Sequence, residues 1–205
     1  MERAGEVEER ILDAAERIFL QRGFDGASVD EIAQTARAGK PTIYARYPGK
    51  ESLFAAVMAR QVARNTQFEN LAPHGRTFHA KLINLGTALA ERMLNDDTIG
   101  LLRSAIAEAQ RFPELTRGVN EMARKRAAAN LAKLLAELAR EEGIEAKGAF
   151  APERIADTAR IFLDVVLFGV LMRRLMGEDA KALRKELPDH VRLRVEFFLG
   201  SCGRN

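Results

Sequence analysis

Apolar residues in this sequence recur at spacings of three and four positions, the period of a helix that is buried on one face. The first such run is made of Ile11, Ala14, Ala15, Ile18 and Phe19. The long Val, Ile and Thr alternations that are typical of β-strands are missing, and so is Trp. With 205 residues the chain is long enough to bury a substantial core. We therefore predict an all-α fold.

The first two helices are bounded by strong local signals. The first is predicted over 6–21 and is ended by Gly23, which suits the C-terminal position of a helix. The stretch Ser28-Val29-Asp30-Glu31 then has the pattern of a capping box. In that arrangement the Ser28 hydroxyl accepts a hydrogen bond from the Glu31 amide, and the Glu31 side chain returns to Ser28. A short second helix that ends near residue 35 follows.

A third short helix follows a tight turn at 36–39. It is predicted over 40–46, and Pro41 is tolerated in its first turn. Ile43 should face inward and hold this helix against the first one. Two short helices that are joined by a tight turn are typical of a helix-turn-helix, whose second helix enters the major groove of DNA.

The charge distribution supports an anion contact at this place. The interval between Glu31 and Glu51 contains no acidic residue, but it contains four basic ones, Arg37, Lys40, Arg46 and Lys50. A local basic patch is a better indication of nucleic acid than the formal net charge of +3.

Individual side chains of this patch suit particular DNA groups. Lys40 and Arg46 can bind phosphate or the O6 and N7 atoms of guanine. Thr42 can contact a phosphate or a thymine methyl group, and Tyr44 can donate a hydrogen bond to phosphate. Lys50, in the first turn of the fourth helix, should combine with the helix amides as an anion site.

The stretch SVDEIAQTARAGKPTIYARYPGKESLF resembles the DNA-binding signature of the TetR family. The matched positions are Lys40, Thr42, Tyr44, Tyr47, Pro48, Lys50 and Glu51. The resemblance implies that Lys40, Pro41, Thr42, Tyr44, Arg46 and Lys50 face DNA, and that Tyr47 is the buried aromatic residue of the family. Arg37 stands where family members commonly have glycine, so a left-handed backbone there would cost about 1 kcal/mol. We interpret Arg37 as an added phosphate contact.

The rest of the chain is also periodic, and its helices are predicted over 76–94, 97–111, 113–143, 152–176 and from Pro188 onward, about nine in all. The segment IAEAQRFPEL resembles the effector domain of the AefR-like branch of the TetR family. The predicted organisation is a three-helix helix-turn-helix domain at 1–50 and a larger helical ligand-binding and dimerisation domain at 51–205.

The run IFLDVVLFGVLM is apolar all round, so it must be covered on all sides. We predict that a second copy of the chain covers one side, in a four-helix interface built from the last two helices of each protomer. The residues assigned to it are Leu167, Leu171, Leu175, Val191, Val195 and Phe198. The alternative is a central core helix. A dimer would place two recognition helices on successive half-sites of a palindrome.

The resemblance also implies an effector site in the C-terminal domain, and aromatic and Met side chains suit a small hydrophobic ligand. The residues assigned to this pocket are Phe68, Phe78, Met93, Arg103, Phe112, Met122, Phe162, Phe168 and Met172. The alternative is that they form plain core.

Other functions have weaker support in the sequence. No catalytic signature or metal-ligand spacing is evident, so an enzyme, a metal or a cofactor is not expected. The charged N-terminus and the absence of an apolar run of membrane-spanning length predict a cytoplasmic protein. The sequence therefore predicts a repressor that a small apolar effector releases from a palindromic operator. The alternative is a helical protein-interaction module that does not bind DNA.

Overall fold

The computed structural model describes residues 4–68, 71, 73–144 and 148–203. These residues form nine α-helices and no β-strand, so the all-α prediction is confirmed. The helices are α1 (Ala4–Gly26), α2 (Val29–Ala36), α3 (Lys40–Tyr44), α4 (Lys50–Asn65), α5 (Phe78–Met93), α6 (Asp96–Ala107), α7 (Pro113–Glu141), α8 (Ile155–Leu175) and α9 (Ala180–Cys202), with a 3-10 helix at Gly148–Phe150. Within these ranges, no helix has both the length and the hydropathy that crossing a bilayer requires.

Two helix boundaries depend on residues outside the regular pattern. Gly23 has φ 69° and ψ −179°, so it interrupts α1 before its last turn. The prediction that Pro188 begins the last helix is wrong, because α9 begins at Ala180 and contains Pro188. The Asp179 carboxylate caps this earlier start by accepting hydrogen bonds from the amides of Lys181 and Ala182, at 3.0 and 2.9 Å.

The chain divides into two compact units. The first comprises Met1–Arg64 and Gly100–Met122, and the second comprises Asn65–Ile99 and Ala123–Asn205. The first unit thus includes most of α4 as well as the helix-turn-helix. The predicted boundary at residue 50 separates a DNA-binding part from a ligand-binding and dimerisation part, and it stays a prediction.

The first unit has its own apolar core, in which α1 to α4 and residues from 101 to 119 pack together. Phe54 lies at its centre, with its ring centroid 5.0 Å from that of Phe19 and 5.2 Å from that of Phe24. At the edge of this core, the Arg60 guanidinium binds the carboxylates of Asp13 (2.8 Å) and Glu16. These contacts fix α4 against α1.

The second unit is built on α5, α8 and α9, which pack closely around Gly86. A Cβ atom at Gly86 would lie 2.8 Å from Cγ1 of Val191 and 3.2 Å from Cγ1 of Val166. The helices can approach this closely only because Gly86 has no side chain. Both valines are fully buried.

Candidate nucleic-acid interface

The turn between α2 and α3 is held by its own backbone. Oγ of Ser28 accepts a hydrogen bond from the Glu31 amide at 3.1 Å, as predicted, while the Glu31 carboxylate lies 3.4 Å from Nη2 of Arg22. At the other end of α2, Arg37 has φ 50° and ψ 43°. This left-handed residue lets the Ala38 amide donate to the carbonyl of Ala33 at 3.0 Å, which closes the helix end.

The two faces of α3 have opposite environments. The Gly39 carbonyl accepts from the amides of Thr42 and Ile43, at 2.9 and 3.2 Å, and so starts the helix. Ile43 is 1% exposed and belongs to the same core as α1, which confirms its predicted inward position. Tyr44, the next residue, is 47% exposed. The buried isoleucine therefore orients α3 so that Tyr44 faces solvent.

Most of the predicted DNA-facing side chains lie exposed around Tyr44. Arg37, Lys40, Pro41 and Arg46 are exposed and Thr42 is half-buried. Nζ of Lys40 lies 2.7 Å from the carboxylate of Asp30, and Nη1 of Arg46 donates to the Thr42 carbonyl at 3.3 Å. Both contacts are at the surface, where such pairs are weak, so DNA phosphates can replace them.

Lys50 is the exception, because its ammonium is engaged by groups of its own chain. Its ammonium donates to three backbone carbonyls, those of Phe24 (2.7 Å), Asp25 (3.2 Å) and Ala27 (3.1 Å). It also lies 4.5 Å from the centroid of the Phe24 ring. An ammonium group has three protons, and all three are used. Lys50 therefore closes the end of α1. We infer that it does not also form the anion site that its sequence position indicated.

Tyr47 ties the end of this region to α1 and is buried, as the resemblance implied. Its hydroxyl donates to Oε1 of Glu8 at 3.1 Å. Burial, and then the neighbouring Glu8 carboxylate, raise the pKa of Tyr47 to about 12. The neutral phenol is thus the form that the fold selects, and it holds the chain after α3 in place.

The sequence reasoning missed a set of contacts on the turn that follows Gly23. Nη1 of Arg111 donates to the Asp25 carboxylate at 2.5 Å, and the ring centroids of Phe24 and Phe112 are 5.4 Å apart. Asp25 and Arg111 are 86 positions apart, so no local pattern pairs them.

The nine residues predicted to line an effector pocket fall in both compact units. Arg103, Phe112 and Met122 belong to the first, and Phe68, Phe78, Met93, Phe162, Phe168 and Met172 belong to the second. Phe112 packs against Phe24, and Phe78 packs against Phe150 with ring centroids 5.1 Å apart. Phe68 and Phe162 are buried core residues. Phe168 is 63% exposed, so it lines no interior of a single chain.

The predicted dimer residues also need correction. Val191, Val195 and Phe198 are buried within their own subunit, because they face α5 and α8 in the core of the second unit. They are therefore not available to a partner. Leu167, Leu171 and Leu175 are half-buried. The large apolar side chains that α8 and α9 expose are others, namely Ile161, Phe168, Leu193 and Phe197.

The part of the chain that the structure describes holds no group of three or more His, Cys, Asp or Glu residues placed to bind a metal ion. The side chains that converge around α3 are cationic, hydroxyl-bearing and aromatic. Such groups bind phosphates and base edges.

Family models cover both parts of the chain. Residues 11–57 match the model for bacterial regulatory proteins of the tetR family. Residues 80–203 match the model for the C-terminal domain of AefR-like transcriptional repressors. The two matches agree with the two sequence segments in which the resemblance was recognised.

Individual proteins show the same likeness. The HTH-type transcriptional regulator YvkB of Bacillus subtilis is 23% identical over 178 residues, which are 86% of this chain and 88% of that protein. The HTH-type transcriptional repressor SCO4008 of Streptomyces coelicolor is 45% identical over 53 residues, 26% of this chain and 28% of that protein.

Solved structures share the fold over nearly the whole length. A TetR-family regulator from Mesorhizobium loti has a TM-score of 0.82 and 24% identity, with 98% of each chain covered. The flavonoid-responsive regulator FrrA has a TM-score of 0.71 and 24% identity, with 98% of this chain and all of that one covered.

Proposed function

The chain belongs to the TetR family of bacterial regulatory proteins, and on that premise we propose that it is a homodimeric repressor of a palindromic operator, released by a small apolar effector. As a member of this family it is a DNA-binding transcriptional regulator and not an enzyme. The oligomeric state, the operator symmetry and the effector are parts of the proposal. We place its action in the cytoplasm, where bacterial DNA lies.

The observation that carries the DNA-binding role is the two-sided character of α3. Ile43 anchors one side in the core, and Tyr44 stands exposed on the other. In the proposed complex the Tyr44 hydroxyl donates to a phosphate, and the Thr42 hydroxyl contacts the same backbone. Pro41 lies in the first turn of α3. Backbone amides in the first turn have no hydrogen-bond partner within the helix, so the missing N–H of proline costs nothing there.

Three basic residues complete the proposed interface. In the proposed complex Lys40 leaves the carboxylate of Asp30 and binds a phosphate or a guanine edge. Arg46 likewise leaves the Thr42 carbonyl and binds a phosphate or a guanine edge. Arg37, on the left-handed turn before α3, is placed to neutralise a further phosphate. Each phosphate neutralised releases counterions, so binding should weaken steeply as salt rises.

The exposed apolar residues of α8 and α9 support the dimer. Ile161 and Phe168 are seven positions apart on α8, and Leu193 and Phe197 are four positions apart on α9, so each helix carries one apolar stripe. Burying a side chain of this size contributes about 1.5–3 kcal/mol. A second copy, packing α8 and α9 against the same helices of the first, covers these stripes. We propose these four residues as the dimer contacts.

An apolar effector is supported by the composition of the second unit. The Phe78 and Phe150 rings meet edge to face there, with the half-buried Met93 and Met172 in the same unit. Such side chains adapt to planar apolar ligands. FrrA, which shares the fold, is called flavonoid-responsive. We propose a small aromatic or aliphatic molecule as the effector.

Selection of bound fragments from random duplex DNA by the full chain tests the proposal. The expected product is an inverted repeat with half-sites about one helical turn, or 34–36 Å, apart. A single unrepeated site would overturn the dimeric arrangement. Failure to enrich any sequence at low salt would favour the protein-interaction module instead. An apolar compound library, screened for loss of operator binding, tests the effector.

A further inference from the structure

The turn Phe24–Ala27 is bound by two different parts of the first unit. We infer that Arg111 and Phe112, which lie far from α3 in the chain, are positioning residues for the recognition helix and act through this turn. The inference rests on the DNA-binding role of α3.

The turn exists because α1 is broken at Gly23, whose positive φ of 69° directs the chain out of the helix. The break leaves carbonyl groups at the end of α1 without partners in the helix, at the negative end of its dipole. The ammonium of Lys50 donates to the carbonyls of Phe24, Asp25 and Ala27, and the Phe24 carbonyl also accepts from the Ala27 amide at 3.3 Å. The position of Lys50 and the conformation of the turn therefore depend on each other.

Lys50 is also the first residue of α4, and only residues 45–49 separate it from the end of α3. Within that connection, Tyr47 is hydrogen-bonded to Glu8 on α1, and the Gly49 amide donates to Oγ of Ser52 at 3.1 Å. The connection is thus held at several points along its length. A shift of the turn that displaces Lys50 must be taken up by α3.

Arg111 and Phe112 bind the same turn on other groups. Arg111 binds the Asp25 carboxylate, and its guanidinium lies 5.0 Å from the centroid of the Phe112 ring. The Phe112 ring packs edge to face on Phe24, the residue whose ring and carbonyl Lys50 also contacts. The turn is therefore in contact both with the segment that carries Arg111 and with the start of α4.

Variants of the ion pair between Asp25 and Arg111 can distinguish a positioning role from a merely stabilising one. Asp25 is 71% and Arg111 61% exposed at the side chain, and pairs as exposed as this contribute little to global stability. An effect of the pair on operator binding would therefore come from the placement of α3. The control is the pair Arg117 and Glu114, which lies in the same unit and is also exposed, at 70% and 88% of the side chain.

The test uses the full chain and the duplex that it selects from random DNA, with binding followed by fluorescence anisotropy. We expect Arg111→Gln and Asp25→Asn each to weaken binding about fivefold, the lower end of typical coupling between sites. The double variant should be no worse than either single one, because both remove the same contact. The control Arg117→Gln should leave binding unchanged.

Three binding results would overturn the inference. The first is additive losses in the double variant, and the second is no loss in either single variant. The third is a salt dependence flattened by about one unit in Arg111→Gln, which would mean that Arg111 itself contacts a phosphate.

Hydrogen exchange of the chain without DNA gives an independent readout. In Arg111→Gln, exchange should quicken at the amides of Ala27, Thr42 and Ile43 while the melting temperature stays within about a degree. Unchanged exchange at Thr42 and Ile43 would contradict the inference even if no operator were found.

Discussion

Nζ of Lys50 lies 2.7 Å from the carbonyl oxygen of Phe24, a residue 26 positions earlier in the chain. Together with two further carbonyls, this contact makes Lys50 a cap on the broken end of α1. The lysine that by its sequence position looked like a phosphate ligand is thus a structural element of the helix-turn-helix. In the proposed complex, the side chains around Tyr44 make the DNA contacts.

Replacing Lys50 should therefore affect stability more than salt dependence. Lys50→Met keeps the apolar stem but removes the ammonium donor from three carbonyls, two of them partly buried, so the free energy of unfolding should fall by about 1–3 kcal/mol. Operator affinity should fall with it, while the slope of log affinity against log salt stays the same. Urea unfolding and binding titrations at several salt concentrations measure both quantities.

Lys40→Met is the contrasting variant. Its ammonium pairs with the exposed Asp30 carboxylate, so stability should hardly change. The salt slope should instead flatten by about 0.9, the effect of one lost phosphate contact, if Lys40 lies on the backbone. If Lys50→Met leaves stability intact and flattens the slope, the reassignment of Lys50 is wrong.

Arg37 offers a test in which charge and backbone strain separate. Arg37→Gly and Arg37→Ala both remove the charge and should both flatten the salt slope by about 0.9. Only glycine relieves the left-handed backbone at φ 50°, whose cost is about 1–2 kcal/mol for other residues. Arg37→Gly should accordingly unfold at higher urea concentration than Arg37→Ala. If the slope of log affinity against log salt is the same for both variants and the unmodified chain, Arg37 does not contact a phosphate.

Tyr47 should make stability sensitive to high pH. Its pKa is about 12 in the folded chain and near 10 when the residue is exposed, so between these values the folded state binds more protons than the unfolded state. The stabilisation by Tyr47 is therefore complete below pH 10 and is lost as pH rises toward 12. Urea midpoints measured across this range should fall less steeply in Tyr47→Phe than in the unmodified chain.

Tyr44→Phe is the control for this comparison, since it removes the hydroxyl of an exposed ring. Its urea midpoints should fall with pH as steeply as those of the unmodified chain. Identical slopes for Tyr47→Phe and the unmodified chain would show that the raised pKa of Tyr47 does not govern the loss of stability at high pH.

The exposed stripes of α8 and α9 predict how the dimer can be broken. Phe197→Glu places a charge on a side chain that is 71% exposed in the single chain, so the subunit should fold while the dimer dissociates. Sedimentation at micromolar concentration should then give the mass of one chain, 22.8 kDa. Ile106→Glu, at an apolar residue that is 59% exposed and lies outside α8 and α9, should remain dimeric. A single-chain mass for the unmodified protein would refute the dimer.

Gly86 should tolerate no larger residue. In Gly86→Ala the new Cβ would lie 2.8 Å from Val191, so the helices must separate, at a cost of about 1–3 kcal/mol. Gly118→Ala is the matched control, since it also lies within a helix but meets no atom within 4 Å. Alanine there should stabilise the chain by about 0.5–1 kcal/mol, because it favours helix more than glycine does. Equal melting temperatures for Gly86→Ala and Gly118→Ala would contradict the close packing around Gly86.

The elements that could be predicted are those whose cause is local. Apolar spacing identified most of the helices, and the Ser28 hydroxyl lies three residues before the amide that it caps. Ile43 could be assigned inward and Tyr44 outward because adjacent residues on a helix point in different directions. The beginning of α9 was misplaced because a proline is a strong local signal, while the Asp179 cap and the burial of Leu183 and Leu187 outweigh it.

What the sequence by itself determined is therefore the helical fold, the family and the segment that we propose to face DNA, because these follow from spacing and motif within a few turns of chain. Only the tertiary structure decided which charged or apolar groups remain available. It placed Lys50 on the carbonyls of α1, and it buried Val191, Val195 and Phe198 in their own subunit while exposing Leu193 and Phe197. The physical reason is that hydrogen-bond partners and burial depend on residues distant in the chain, and a side chain satisfied by one neighbour is no longer available to another.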